Sequence, residues 1–451
     1  MSAVILMVLL GLAGAPLSYR LAGPRAEAVP LAALLGAGYL AAGAILEVAL
    51  GGPPLGDAFV ALLAGMLLPM IGPLSRALRA RRVYRAALQR QEVLLLLAPV
   101  LVLAWTLSTL KRTDIGWDGR SIWFFHARML LGGREVFLAQ AHAFPFSHPD
   151  YPPLVSAVLS FGWGMGGSID YRMGQLAVAA LTACATLLAG VAVARALAAA
   201  RWLAPMVAAA CVGLAYGVWD VFGSNGYVDP LAAALFLAAA LYGLLAPPSG
   251  PQVRLAIALA VLGSVVKNEG LVFSLIVLAF LAVRQLLARR RQPAISAEVR
   301  PRWLVMALGL TVLWPLVVRS QGLGSDLTAT SFLHGEAADP AHRLGLVLDA
   351  LGPKVGLAMV GFLGLAVMGV LGPRDARWRI GGFLAAVLSA TAALLAVYAI
   401  GPYEINWWLL NSLDRTDMVL RAGGLFAAVY AAVAAGGLLA EAVRTRRQRE
   451  S

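Results

Sequence analysis

The sequence predicts an all-α, polytopic membrane protein with about 13 transmembrane helices and interfacial helices on the outer face. Of the 451 residues, 60% are hydrophobic and only 13% are charged, whereas a soluble domain carries about 25% charged residues. Apolar runs recur along the whole chain, and about 17–25 apolar residues are enough for a helix to cross a bilayer. Composition and spacing therefore predict the same class.

Thirteen apolar runs are candidate spans, with limits at 3–17, 29–50, 57–75, 92–110, 172–194, 203–219, 229–246, 253–266, 270–288, 303–319, 346–371, 379–400 and 418–440. The first run has no basic residue before it and is followed by Arg20 and Arg25, which predicts a retained span and not a cleaved signal peptide. The apolar run 154–166 is shorter and predicts an interfacial or re-entrant helix. The turn K-N-E-G at 267–270 predicts a broken helix pair in the outer part of the membrane.

Arginine is concentrated in short loops, and this pattern predicts the orientation of the chain. The segments 75–92, 289–302 and 372–379 hold six, five and three arginines, and the final R-T-R-R-Q-R holds four. Because such loops remain in the cytoplasm, we expect the N-terminus outside, the C-terminus in the cytoplasm, and the protein in the plasma (inner) membrane. The same distribution explains the net charge of +13 without a nucleic-acid partner.

With this orientation, 17 of the 23 acidic residues face the outer, non-cytoplasmic side. Ionisable groups at membrane depth are costly and commonly mark a site, so we expect the active site on that side.

Three parts are predicted: an N-terminal three-helix addition (1–91), a catalytic membrane core (92–440) and a basic cytoplasmic tail (441–451). Cys184 and Cys211 lie within apolar runs and predict neither a disulfide nor a metal site.

The stretch 113–153 is neither a plausible span nor a basic loop, and it supplies the catalytic candidates Asp114 and Asp118. If the segment is helical, both carboxylates share one face, because residues i and i+4 are neighbours on a helix. Such a pair can divide the roles of base and stabilising carboxylate. Aromatic neighbours would partly desolvate Asp118, which suits a base that takes a proton from a hydroxyl. The alternative for Asp114 is a helix N-cap.

Three arginines on the predicted outer side are candidates for binding a phosphate. Arg120, Arg128 and Arg415 each carry a guanidinium, which can bind a phosphate through two parallel hydrogen bonds. The alternative for Arg415 is a local ion pair, and the alternative for the other two is a pair with Asp118 or Glu135. The sequence leaves both possibilities open.

Five other polar residues are predicted to lie near the same site. His148 and Asp150 belong to the proline-rich S-H-P-D-Y-P-P and either contact a ligand or begin the helix that follows. Asp229 starts a span and is either a site residue or an N-cap. Lys267 and Glu269 lie in the broken helix pair, where they bind substrate or neutralise each other, since charges inside a membrane commonly pair.

The order of several short motifs resembles the GT-C superfamily of membrane glycosyltransferases. The stretch W-D-G-R-S-I-W-F-F-H-A-R at 117–128 resembles the F-D-P-W-F-N-Y-R motif of oligosaccharyltransferase catalytic subunits. It is also similar to the acidic loop of lipid A aminoarabinose transferases and protein mannosyltransferases. H-P-D-Y-P-P-L, N-G-Y-V-D-P-L and V-V-K-N-E-G-L are similar to later motifs of the superfamily. The resemblance covers about 92–440 and departs from the superfamily in its three extra N-terminal spans and in having no large soluble domain after the core.

The resemblance implies inverting transfer of a sugar from a polyprenyl-phosphate carrier to a glycan, lipid or protein acceptor on the outer face. Asp118 matches the general base, and Arg415, Lys267 and Arg128 would stabilise the leaving phosphate. Members that use a monophosphate carrier generally need no metal, so none is predicted, although paired acids could hold a divalent ion. The alternative function is a lipid or small-molecule transporter or flippase, because broken helices are typical of transporters.

Overall fold

The computed structural model describes residues 2–51, 56–68, 90–109, 114–197, 202–247, 249–291, 301–324 and 339–450. All regular elements of these segments are helical. In chain order the α-helices are α1 (Ala3–Ala22), α2 (Ala28–Leu50), α3 (Gly56–Leu67), α4 (Arg90–Thr109), α5 (Phe124–Leu131), α6 (Arg134–Ala143), α7 (Leu154–Gly166), α8 (Tyr171–Ala196), α9 (Ala204–Trp219), α10 (Asp229–Ala240), α11 (Gly250–Ser264), α12 (Asn268–Arg291), α13 (Pro301–Thr311), α14 (Leu313–Ser320), α15 (Pro340–Leu371), α16 (Arg374–Ile400), α17 (Ile405–Thr416) and α18 (Met418–Glu450).

Within the described segments, ten helical stretches are long and apolar enough to cross a membrane. This confirms the polytopic membrane class, and each of the ten coincides with a predicted span. Of the other three predicted spans, 229–246 and 253–266 form shorter apolar helices, and 57–75 lies partly outside the described residues. The number 13 therefore stays a prediction, as does the sidedness of the membrane.

The short helix α7 lies inside the bundle. Its residues 154–163 are all buried. The expected short helix is confirmed, and its position relative to a membrane stays a prediction. The backbone N–H of Leu154 donates to the carbonyl oxygen of Val265 at 2.9 Å. Val265 belongs to the turn between α11 and α12, and this turn confirms the predicted broken helix pair. The proline-rich loop before α7 is thereby held against the turn that carries Lys267.

A close helix crossing fixes the position of α18. At Gly361 of α15, an added Cβ atom would lie 1.9 Å from the carbonyl oxygen of Gly424 in α18. Small residues allow membrane helices to approach to backbone contact, so a larger residue here would force the helices apart. Because α17 ends at Thr416 and α18 begins at Met418, this crossing also fixes the location of the neighbouring Arg415.

The N-terminal helices are joined to the rest of the bundle by a partly buried ion-pair network. Arg195, near the end of α8, contacts Glu27 at 2.8 Å and Glu92 at 2.5 Å. Glu92 also accepts a hydrogen bond from the backbone N–H of Ala26 at 2.9 Å. The side chain of Glu27 is only 1% exposed. The connection between α1 and α2 is therefore tied to the start of α4 and the end of α8.

This network and the predicted outer residues lie at opposite ends of the bundle. α4 begins beside Glu92 and ends at Thr109, after which the chain leads to Asp118. A helix of 20 residues is about 30 Å long. A helix of this length matches the thickness of a hydrocarbon core.

Replacing Glu92 with Gln is expected to lower the free energy of unfolding by about 1.5–3 kcal/mol, the usual contribution of a hydrogen bond to a charged group. The change leaves the side chain's shape intact but removes the charge that Arg195 contacts. Unfolding of the purified protein in micelles measures the effect. Glu441→Gln is the matched control, because Glu441 is exposed on the C-terminal part of α18. Equal stability of the two variants would contradict the importance of the network.

Candidate functional site

Five charged side chains form a continuous chain of ion pairs at one end of the bundle. In order they are Asp118, Arg415, Asp229, Lys267 and Glu269. Arg415 contacts Asp118 through Nη1, and the same atom lies 3.7 Å from Oδ2 of Asp229. Lys267 Nζ lies 2.8 Å from Oδ1 of Asp229 and 3.0 Å from Oε1 of Glu269. This ion-pair chain alternates in sign and joins four separate parts of the sequence.

Asp118 is positioned by the packing of two loops. The backbone N–H of Gly116 donates to the carbonyl oxygen of Asn225 at 2.9 Å. A Cβ atom on Gly116 would lie 1.9 Å from the ring of Tyr227, so only glycine allows the loops to approach this closely. Asp118 directly precedes the π-helical turn Gly119–Trp123. Its side chain is 13% exposed and faces Arg415.

Besides its ion pairs with Asp118 and Asp229, Arg415 is stabilised by three further interactions. It lies in the last turn of α17, where the helix dipole favours a cation. Its Nε and Nη2 atoms donate to the carbonyl oxygen of Asn411 at 3.3 and 3.0 Å. Its guanidinium carbon lies 4.8 Å from the centre of the Tyr227 ring, a cation–π contact. Burial, followed by the neighbouring Asp118, raises the pKa of Tyr227, so its phenol is neutral at physiological pH.

Asp229 and Lys267 form the buried middle of the ion-pair chain. Their side chains are each 7% exposed. Asp229 is the first residue of α10, and the N-cap position is occupied by the preceding Val228. The Asp229 carboxylate is therefore not the N-cap and pairs with Lys267. The expected pair of Lys267 with Glu269 is present. Lys267 therefore balances two carboxylates at once.

The loop before α7 borders the Lys267 end of the ion-pair chain. The Asp150 side chain accepts a hydrogen bond from Asn268 at 2.7 Å. Tyr151 stacks between Trp123 and His148, with ring centres 5.4 and 4.9 Å apart, and Lys267 Nζ lies 5.8 Å from the Tyr151 ring centre. Burial, strengthened by Glu269, raises the pKa of Tyr151 well above its usual value. His148 and Asp150 thus lie beside the Lys267 end of the ion-pair chain.

His126 belongs to the same stretch but has a structural role. It is 2% exposed, and its Nε2 lies 3.3 Å from the hydroxyl oxygen of Ser147. Its ring also packs against Phe137 with the centres 6.2 Å apart. Burial lowers the pKa of His126 to about 3. A ring that stays neutral and buried at physiological pH does not serve as a proton donor to a substrate.

Three predicted site residues lie apart from the ion-pair chain. The helical turn begins at Trp117, and Asp114 is exposed before it, so Asp114 and Asp118 do not share a helical face. Arg120 is exposed. Arg128 is exposed on α5, and its Nη1 atom lies 3.5 Å from the hydroxyl of Tyr171.

The surroundings of the two arginines Arg120 and Arg128, and those of Asp118, also differ from the ones predicted. Neither Arg120 nor Arg128 forms an ion pair in the described part of the chain, and Glu135 pairs with Arg134 instead at 3.0 Å. Two of the aromatic rings after Asp118 pack on other rings. Trp123 stacks on Tyr151, and Phe124 packs on other aromatic rings. The close neighbour of Asp118 is the guanidinium of Arg415.

Sequence reasoning missed Tyr227 as a site residue. The ring lies beneath Arg415 and against Gly116, so it joins the loop of Asp118 to the cation. The signal was its place two residues before Asp229, since an aromatic ring near a cation is stabilised by a cation–π contact.

The site combines a carboxylate that can take a proton with two cations that can bind an anion. Asp118 lies at one end, and Arg415 and Lys267 are separated by the single carboxylate of Asp229. No group of three or more His, Cys, Asp or Glu side chains is arranged to hold a metal ion across the residues that the structure describes. Independence from metals stays a prediction.

No family model, curated protein or solved structure matches the chain. The resemblance to GT-C glycosyltransferases is therefore carried by the sequence motifs at 117–128, 148–154, 225–231 and 265–271. Three of these motifs contribute residues to the ion-pair chain, and the fourth borders it. Any function proposed for the protein has to account for the geometry of the ion-pair chain.

Proposed function

We propose that the protein is an inverting glycosyltransferase that moves a sugar from a polyprenyl-phosphate carrier to an acceptor on the outer face of the membrane. The observation that carries the proposal is the direct contact between Asp118 and Arg415, which are 297 residues apart in the chain. A carboxylate suited to deprotonate a hydroxyl and a guanidinium suited to bind a phosphate thus share one site. Lys267 supplies a second cation within the same ion-pair chain.

The reaction needs one proton acceptor and one stabilised leaving group. The acceptor hydroxyl oxygen attacks the sugar's anomeric carbon from the face opposite the phosphate while its proton passes to Asp118. The bond between that carbon and the phosphate oxygen breaks, and its electron pair stays on the polyprenyl phosphate. Arg415 and Lys267 stabilise the negative charge that develops there. Attack from the opposite face inverts the configuration at the anomeric carbon.

The contact between Asp118 and Arg415 has a consequence for the order of events. Arg415 neutralises Asp118 before substrate binds, and a buried charge is costly without a partner. A carrier phosphate offers Arg415 a replacement anion, so donor binding releases Asp118 to meet the acceptor. The base is then exposed only when the donor is in place, which also limits access of water to an activated site.

Binding of polyprenyl phosphate to purified protein tests this proposal. Arg415→Gln is expected to weaken binding by at least about 30-fold, because removing one partner of a buried charged pair costs about 2–5 kcal/mol. Arg415→Lys should recover part of the affinity, since the charge remains but the two-pronged geometry is lost. Arg128→Gln is the matched control, because Arg128 is an exposed arginine outside the ion-pair chain.

Three results would count against the proposal or would favour the alternative function of a flippase. Equal affinity of the Arg415→Gln and Arg128→Gln variants would contradict a phosphate site at Arg415. Movement of an intact sugar-linked lipid across a vesicle membrane, without release of polyprenyl phosphate, would indicate a flippase instead. Transfer that retains the anomeric configuration would exclude the single-step mechanism with Asp118 as base.

Replacing Tyr227 with Leu is expected to raise the donor KM about tenfold, because a desolvated cation–π contact contributes about 1–2 kcal/mol. Tyr227→Phe keeps the ring beneath Arg415 and should stay within about twofold of the wild type. Because Tyr227 positions Arg415, which also stabilises the leaving phosphate, a fall in kcat should accompany the rise in KM in Tyr227→Leu and be absent in Tyr227→Phe. A fall in kcat with an unchanged KM would contradict this positioning role.

A further inference from the structure

Two arginines meet the end of α10 that lies opposite the ion-pair chain. α10 continues into the π-helical turn Leu241–Leu245. Arg284 of α12 donates to the carbonyl oxygen of Gly243 through Nη1, and Arg379 of α16 donates to the carbonyl oxygen of Leu245 at 2.9 Å. The two acceptors are two residues apart, so both guanidinium groups meet the same end of this helix.

The positive charge of this arginine pair is only partly balanced. Asp375 pairs with Arg379 at 3.1 Å, and its side chain is 73% exposed. Arg284 forms no ion pair within the segments that the structure describes. Its contact with the Gly243 carbonyl uses one of five N–H donors. The exposed Arg377 on the same helix end adds further positive charge, so the pair can accept an anion without displacing an existing partner.

Exposed apolar side chains lie next to the arginine pair on both α12 and α16. On α12, Val283 is 52% and Leu286 is 60% exposed. On α16, Trp378 beside Arg379 is 55% exposed, and tryptophan is enriched where membrane helices meet the head groups. Both helices are long and apolar enough to span a membrane. A lipid at this position can therefore contact the arginine pair with an anionic head group and the exposed apolar side chains with its acyl chains.

We propose that Arg284 and Arg379 bind the phosphate of an anionic phospholipid whose acyl chains lie along the exposed faces of α12 and α16. Basic pockets between transmembrane helices bind such head groups, and a guanidinium pair can hold a phosphate through several parallel hydrogen bonds. The lipid phosphate would join α12 to α16 next to the end of α10. This site is independent of the sugar-transfer reaction, because it lies at the other end of α10 from Asp229.

Native mass spectrometry of the purified protein in micelles tests the proposal with phosphatidylglycerol and phosphatidylcholine as competing probes. The wild type is expected to retain phosphatidylglycerol in preference to phosphatidylcholine at equal concentrations. Arg284→Gln should lower that preference about fivefold, since a basic residue near anionic lipid contributes about 1 kcal/mol. Arg444→Gln is the matched control, because Arg444 lies on the exposed tail of α18.

Three outcomes would overturn the proposal. The first is equal retention of the two lipids by the wild type, a measurement that does not depend on whether a variant folds. The second is an unchanged preference in Arg284→Gln. The third is displacement of phosphatidylglycerol by inorganic phosphate at the same concentration, which would indicate an anion site without acyl-chain recognition. An Arg284→Lys variant that keeps most of the preference supports recognition of charge.

Discussion

Replacing Asp118 with Asn is expected to abolish sugar transfer, with a fall of about 10²- to 10⁴-fold, the usual contribution of a positioned general base. The amide cannot take the proton of the acceptor hydroxyl, although it has nearly the same shape as the carboxylate. Arg415 keeps Asp229 and the carbonyl of Asn411 as partners, so the variant leaves no isolated buried charge. Transfer is measured with purified protein in liposomes that contain the lipid-linked donor.

Asp114→Asn is the control for this experiment. Asp114 lies four residues earlier, is exposed and precedes the helical turn, so its substitution should change activity less than about twofold if it takes no part in the reaction. Both variants should elute and unfold as the wild type does. Full activity of Asp118→Asn would eliminate Asp118 as the base, whereas equal losses in the two variants would assign a role to Asp114 that its position does not suggest.

Replacing Lys267 with Met is expected to have the largest effect on stability, lowering the free energy of unfolding by about 3–5 kcal/mol. The methionine fills a similar volume but leaves Asp229 and Glu269 without their shared cation. Asp229 is 7% exposed and cannot turn to water. Chemical unfolding in micelles, followed by tryptophan fluorescence, measures the loss.

A double variant separates the loss of charge balance from the loss of packing. Lys267→Met combined with Asp229→Leu removes the buried pair and should be less destabilised than Lys267→Met alone, because the remaining carboxylate, Glu269, has a side chain that is 30% exposed. Glu135→Gln breaks the exposed pair with Arg134 and should cost no more than about 1 kcal/mol. If Lys267→Met is as stable as Glu135→Gln, the buried pair does not hold the broken helices together.

Hydrophobic runs predicted the helices well because a membrane span needs a minimum length of apolar residues. The same criterion was less accurate in the middle of the chain, where it predicted two membrane spans. Around 229–266 the helices α10 and α11 are short, and they are surrounded by other helices, so apolar composition there reflects burial in protein as much as contact with lipid. Counting apolar runs does not distinguish these two environments.

The members of the ion-pair chain could be predicted because buried charges need partners. All five were predicted as site residues on one side of the membrane, and the one pair expected among them was Lys267 with Glu269. Their order was not predictable, since it depends on how helices far apart in sequence cross. The pairing of Lys267 with Asp229 as well as Glu269 is such a case.

Local sequence spacing misled the prediction for Asp114 and Arg128. The i, i+4 spacing of Asp114 and Asp118 indicates a shared face only if both residues are helical, and the helical turn starts at Trp117. Arg128 is close to Asp118 in sequence, but it lies on α5, beyond the π-helical turn Gly119–Trp123. The turn directs the later part of the motif toward Tyr171 and away from Arg415.

A structure of the protein with polyprenyl phosphate bound is the most direct test of the proposed site. We expect the phosphate to lie within hydrogen-bonding distance of the Arg415 guanidinium or the Lys267 ammonium, with the contact between Arg415 and Asp118 broken. The Asp118 carboxylate should then face the side from which an acceptor hydroxyl approaches. A phosphate bound elsewhere, with Arg415 still paired to Asp118, would contradict the account of this site as the place of sugar transfer.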